Sequence, residues 1–179
     1  MFIVPLITEK YIKERTPLGT NVDIELIENN IEWAQESYLQ DILGTALYHD
    51  IQVKYKNQSI TGDDVDLMNY IKPFVAYKAA EVSLPFLRGQ IRNKGIVNMN
   101  SENATQDNES YMKYLKDELR GRSEFLAQRL VNYLCKISSL FPLYEAPNQD
   151  IYPNGSTPYD SDLWFNEGSC GCIKCSSDY

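Results

Sequence analysis

"DIELIENNIEWAQESYLQDILGTALYHDI" (residues 23–51) decides how the chain folds. Apolar residues recur at Ile24, Ile27, Ile31, Ala34, Tyr38 and Ile42, a spacing of three and four that lays one buried stripe along a helix. Asn21 is a candidate cap, and Asp23 and Glu25 suit the positive end of the helix dipole. Gly44 supplies the stop, which gives a rod about 33 Å long at 1.5 Å per residue. A second helix starts after Thr45, with Leu47, Ile51 and Tyr55 on one side.

Working outward, the same period repeats. Upstream, Thr8 caps a short helix over residues 9–15, ended by Pro17 and Gly19. Downstream, Thr61 or Asp63 opens a long helix whose stripe is Val65, Met68, Ile71, Val75, Ala79, Val82 and Phe86. Pro73 lies inside that stripe and predicts a kink, because the pattern resumes in phase after it. Pro85 predicts the end or a second bend. A last long helix over about 109–139 carries Met112, Leu115, Leu119, Leu126, Leu130, Tyr133 and Ile137, weakened in the middle by Gly121.

The fold class expected from these patterns is all-α: a small bundle of long helices, a long inter-helix loop or hairpin, and an extended C-terminal arm. The excursion is "IRNKGIVNMNSENATQDNES" (91–110), with five Asn and few large apolar residues. Loops of that length in compact domains are functional or disordered. At Pro142 the composition turns to Pro, Gly, Asn, Ser and Asp with isolated aromatics, so the expected organisation is a helical domain over 1–141 and an arm over 142–179. From 142 onward six carboxylates stand against Lys174, which places −5 of the chain's −8 in the arm. Removing 142–179 is expected to leave the helical fold intact.

Charge and composition narrow the function. A formal charge of −8 argues against gripping nucleic acid through its phosphates, yet suits a surface past which nucleic acid slides. The 43% hydrophobic and 12% aromatic content supports a buried core. No run of about 18 apolar residues is long enough to span a bilayer, and the short apolar start "MFIVPLI" is too brief for a signal peptide. The expected setting is a cytosol with reduced cysteines.

Catalytic chemistry finds little to work with. His49 is the only histidine and sits beside Asp50 on the polar side of a helix, with no nucleophile near it in sequence. Asp63–Asp64 and Asp117–Glu118 read as helix-start and surface carboxylates. Phosphate-cradling and nucleophile-elbow motifs do not occur. No enzyme is expected. "CGCIKC" offers Cys170, Cys172 and Cys175 as three thiolates, one short of the four that a structural zinc wants. A cofactor is therefore not expected, with zinc on these three cysteines as the alternative, in a small regulatory protein with a Cys module on a helical body. The cations Arg88, Arg92 and Lys94 before the polar loop, and Arg120, Arg122 and Arg129 on the last helix, read either as a solvated face or as partners for an acidic neighbour, such as the arm of an adjacent copy.

Four stretches together resemble the head–tail connector, or adaptor, proteins of tailed bacteriophages, most closely the ring proteins of crAss-like phages: "DIELIENNIEWAQESYLQDILGTALYHDI" (23–51), "DLMNYIKPFVAYKAAEVSLPFL" (66–87), "RNKGIV" (92–97) and "FLAQRLVNYL" (125–134). The likeness covers roughly residues 5–141 and is one of helix order with an "N-K-G-[IV]" turn. The arm lies outside it. The resemblance implies a virion protein assembled in the host cytoplasm. It would form a ring under the portal at the head–tail junction, commonly of twelve copies, and extend the channel through which packaged DNA passes without sequence-specific binding. Implied partners are copies of itself, the portal and other tail or connector proteins, with no membrane. The excursion would then become ordered in the ring. Arg92, Lys94, Gly95, Ile96, Val97 and Met99 are the expected loop contacts, by an apolar anchor or strand pairing with a neighbour. Tyr152, Tyr159, Trp164 and Phe165 are the expected arm anchors, because aromatic side chains dominate interface hot spots.

Overall fold

The computed structural model describes residues 3–18, 24–92, 95–98 and 109–153. Six helices make the body: α1 (Glu9–Arg15), α2 (Ile24–Ala34), α3 (Gln40–Leu43), α4 (Thr45–Lys56), α5 (Asp63–Arg88) and α6 (Glu109–Lys136). A five-residue π-helical turn, Gln35–Leu39, joins α2 to α3, and two short strands, β1 (Gly89–Arg92) and β2 (Gly95–Asn98), lie between α5 and α6. The chain is an all-α bundle with one small hairpin.

Helix α5 is the axis. It packs against α1, α2 and α6, and through its middle it is buried on most sides by Leu67, Met68, Ile71, Phe74, Val75, Ala76, Ala79 and Ala80. The predicted stripe holds for Met68, Ile71, Val75 and Ala79, whereas Val65 and Phe86 at its two ends face solvent. Neither proline stops the helix: it runs through Pro73 and three residues past Pro85 to Arg88. Its one buried carboxylate, Glu81, is met by Lys78 Nζ at 2.9 Å and by the Ser123 hydroxyl of α6, which donates over 3.1 Å. Tyr70 of α5 and Tyr133 of α6 stack with centroids 4.3 Å apart, with Arg129 over the Tyr70 ring.

The π-helical turn reverses part of the expected stripe. Its Gln40 N–H donates to the Gln35 carbonyl, five residues back, so one extra residue enters the helical turn. The face therefore shifts. Leu39 goes fully inside, while Tyr38, expected in the core, is 38% exposed and lies under the Lys78 ammonium at 4.2 Å. The same turn presents Gln35 to the N-terminal segment. Its Oε1 accepts from the Leu6 N–H at 2.6 Å and its Nε2 donates to the Val4 carbonyl at 3.1 Å, while Gln52 accepts from the Val4 N–H. A buried glutamine here does the work of a neighbouring strand.

Residues 142–153 depart from the expectation of an extended arm beginning at 142. A 3-10 turn over Pro142–Glu145 buries Tyr144, and the irregular strap after it closes on the start of α4. That helix begins at Gly44 and has no side-chain cap of its own. The strap provides one from more than a hundred residues away: Gln149 Oε1 accepts from the Ala46 N–H at 2.9 Å, and the Ile151 carbonyl accepts from the Thr45 N–H at 3.1 Å. The Thr45 hydroxyl donates to the Asp150 carboxylate. Two otherwise unpaired helix donors are thus satisfied. Deleting 142–179 would strip these groups from the start of α4, and is expected to cost the helix its cap. Residues 142–153 are part of the described body.

The hydrogen bond from Thr45 holds the Asp150 carboxyl below its ordinary range, with the Ile151 N–H adding to it. A depressed folded pKa contributes stability above the unfolded value, near 4, and loses it as pH falls through the folded one. The strap is therefore expected to loosen below about pH 4. Amide exchange of Thr45 and Ala46 measured against pH should rise there in the wild type and show no such carboxyl-linked step in Asp150→Asn.

Candidate interaction surface

Helix α6 is two-faced. Leu119, Ser123, Ala127, Leu130 and Leu134 are buried against the body. Positions 111, 118, 125 and 132, with 122, 129 and 136, make the opposite stripe at the helical period. There Phe125 is 61% exposed, and Tyr111 and the neighbouring Tyr114 face solvent too. Arg122, Arg129 and Lys136 stand seven residues apart on it. Arg122 pairs with Glu118 of the same helix at 2.7 Å, while Lys113, Lys116, Arg129 and Lys136 make no ion pair among the described residues. Hydrogen bonding and charge from Glu118 hold the Arg122 guanidinium above its ordinary pKa.

A shallow groove on this stripe is lined by Tyr77 of α5 and by Glu118, Gly121, Arg122 and Phe125. Gly121 gives it depth. A Cβ there would meet nothing within 4 Å, so within one chain the glycine weakens α6 by about 1 kcal/mol relative to alanine with no steric need.

The hairpin at the far end of α5 and α6 pairs Gly89 with Asn98, Gln90 with Val97, Ile91 with Ile96 and Arg92 with Gly95. Of the expected loop contacts, Arg92, Gly95, Ile96 and Val97 thus lie in an intrachain ladder. Part of the excursion is ordered by its own chain, and any strand pairing by β2 with a neighbour is left to its outer edge. Lys94 and Met99 lie outside the described residues.

Among the arm anchors, Tyr152 is exposed at the end of the strap, its hydroxyl accepting from the Asn148 N–H. Tyr159, Trp164 and Phe165 lie outside the described residues, as do Cys170, Cys172 and Cys175. Among the described residues no three His, Cys, Asp or Glu side chains gather to hold a metal, and no helix is long and apolar enough to cross a membrane. His49 is half-buried beside the Tyr48 ring.

One surface escaped the sequence reading. Residues 24–43 carry Glu25, Glu28, Glu32, Glu36 and Asp41 and no Lys or Arg. Glu28 and Glu36 are exposed and Glu32 is partly so, and none of the three joins an ion pair among the described residues. Trp33 stands beside them, 54% exposed. The signal was there: Trp33 falls off the Ile27–Ile31–Ala34 stripe and next to three glutamates spaced by four.

A family described as a family of unknown function, DUF6712, matches residues 39–154. The chain belongs to this family. The match runs from the end of the π-helical turn through α3, α4, α5, the hairpin and α6 to the strap. No curated protein and no solved structure matches the chain.

Proposed function

We propose that the chain is a structural virion protein of a tailed phage, a head–tail connector that forms a ring under the portal, extends the DNA channel and links the capsid vertex to the tail. One observation carries the reading. Two long antiparallel helices, α5 and α6, bear a hairpin beyond the body, and the free face of α6 bears Tyr111, Tyr114 and Phe125 in solvent. Aromatic side chains left exposed in numbers on one face mark protein contacts. The order of elements supports it as well: a long helix, a short one, a long one, two short paired strands, and a closing helix. In this reading the function resides in interfaces, with no reaction to perform, and DNA passes an acidic protein without adhering.

The test is co-production with the portal of the phage that encodes it, followed by electron microscopy of the purified complex. A ring of this chain on the portal is expected. A chain ending at residue 153 keeps its strap and is expected to fold normally while losing incorporation, because the aromatic and acidic part of the arm is gone. Full-length protein that folds yet never joins a portal, and is missing from purified virions, would remove the reading.

A further inference from the structure

We infer that the outer face of α6 docks on the acidic face of α2 in a second copy of this chain, head to tail; the biological setting of this contact rests on the connector reading above. The outer stripe of α6 carries Arg122, Arg129 and Lys136 against Glu118, and the acidic face carries Glu28, Glu32 and Glu36 with no cation. Helix α6 carries six cations (Lys113, Lys116, Arg120, Arg122, Arg129, Lys136) against four acids (Glu109, Asp117, Glu118, Glu124), a net +2 in a chain of −8. The α2–α3 stretch carries five acids and no cation.

They also match in length. Arg122 and Arg129 are about 10 Å apart along their helix, and Glu28 and Glu36 about 12 Å along theirs. Each face adds exposed aromatic surface, Trp33 on one and Phe125 beside the Gly121 groove on the other. A bulky side chain arriving from outside would give that groove the filling that its own chain does not.

One molecule cannot bring these faces together. Helices α2 and α6 both pack on α5 and scarcely touch each other, so the faces lie on separate flanks of the body. Two unlike complementary faces on separate flanks make a heterologous contact, which closes into a ring when the rotation allows. The strap and the hairpin occupy other parts of the body, so this contact uses neither.

The experiment is sedimentation velocity of the purified full-length chain alone, at low ionic strength and over a wide concentration range. One variant reverses α6 (Arg122→Glu, Arg129→Glu, Lys136→Glu) and another reverses α2 (Glu28→Lys, Glu32→Lys, Glu36→Lys). Wild type is expected to self-associate, and each variant alone to do so roughly 30-fold more weakly, since several pairs turn from attraction to repulsion. Mixing the two variants in equal amounts should restore association, because every contact in an alternating assembly is again between opposite charges. Circular dichroism separates these effects from misfolding.

A wild type that stays monomeric throughout overturns the inference. So does a mixture of well-folded variants that fails to re-associate. If ending the chain at residue 153 abolishes association while reversing α2 leaves it unchanged, the acidic arm is the occupant of the α6 face and α2 is not. Restored association in the mixture, combined with absence from portal complexes, upholds the docking and removes the connector reading.

Discussion

Gly44→Ala is expected to lower the unfolding free energy by roughly 3 kcal/mol, the sum of a backbone penalty of about 1–3 kcal/mol and the loss of a helix cap worth about 1 kcal/mol. Gly44 joins α3 to α4 with φ 73° and ψ 158°, a region of backbone space that side chains exclude. Space is lacking as well as freedom. A Cβ there would sit 2.7 Å from Gln149 Oε1 and 2.8 Å from the Pro153 ring, so the strap must give way. Its retreat withdraws the Gln149 oxygen from the Ala46 N–H and the Ile151 carbonyl from the Thr45 N–H. For a chain of this size the midpoint should fall by about 6–12 °C. Calorimetry checks the magnitude and limited proteolysis the place, with early cleavage between 146 and 153. Gln149→Ala, which removes the cap oxygen and leaves the backbone unstrained, is expected to cost only about 1 kcal/mol. Equal effects of the two substitutions would show that the backbone at Gly44 is not special.

That junction also shows what the sequence made legible. Gly44 announces a stop and Thr45 a start, and both are local facts of glycine and hydroxyl chemistry, so the boundary between two helices could be read directly. The Thr8 cap was legible for the same reason, its hydroxyl accepting from the Tyr11 N–H. The strap was not. Its composition is that of a loop, and its hold on α4 runs through hydrogen bonds spanning more than a hundred residues, which no local pattern encodes. Tyr38 failed for a different reason. A stripe counted at 3.6 residues per turn assumes an unbroken α-helix. The added residue of the π-helical turn moves Tyr38 out of the stripe and Leu39 into it, while Ile42 beyond the turn stays buried. Phe86 and Val65 failed because a helix longer than its core leaves both ends in water.

The candidate surface divides similarly. The cations of α6 stood out in the sequence, as a solvated face or as partners for an acidic neighbour such as the arm of an adjacent copy. Which acidic segment lies on a rigid face of the right length depends on α2 and α6 sharing α5 without touching, a fact of packing. A hairpin was legible as an alternative to a loop, but the sequence offered strand pairing of Ile96 and Val97 to a neighbour, whereas β2 pairs with β1 of its own chain.

Gln35→Leu is the second substitution expected to cost most, roughly 2–4 kcal/mol, because it leaves the buried Leu6 N–H and the part-buried Val4 carbonyl unpaired, each costing up to about 1–3 kcal/mol. Gln35 is fully buried within the π-helical turn, and leucine nearly preserves its volume, so packing alone predicts a mild effect. Hydrogen bonding predicts otherwise. The Leu6 N–H loses its acceptor at 2.6 Å and the Val4 carbonyl its donor at 3.1 Å, while leucine offers neither group. Without them the segment before α1 is held by the Gln52 acceptor and by the burial of Leu6 and Ile7 against the core. Gln52→Leu removes the acceptor of one backbone donor, that of Val4, and should cost about half as much. Hydrogen exchange distinguishes the two accounts: faster exchange at Leu6 in Gln35→Leu, with α5 still protected, marks local release of the N-terminus. Unchanged protection at Leu6 would mean that the glutamine is filler, and that the π-helical turn exists for Leu39 alone.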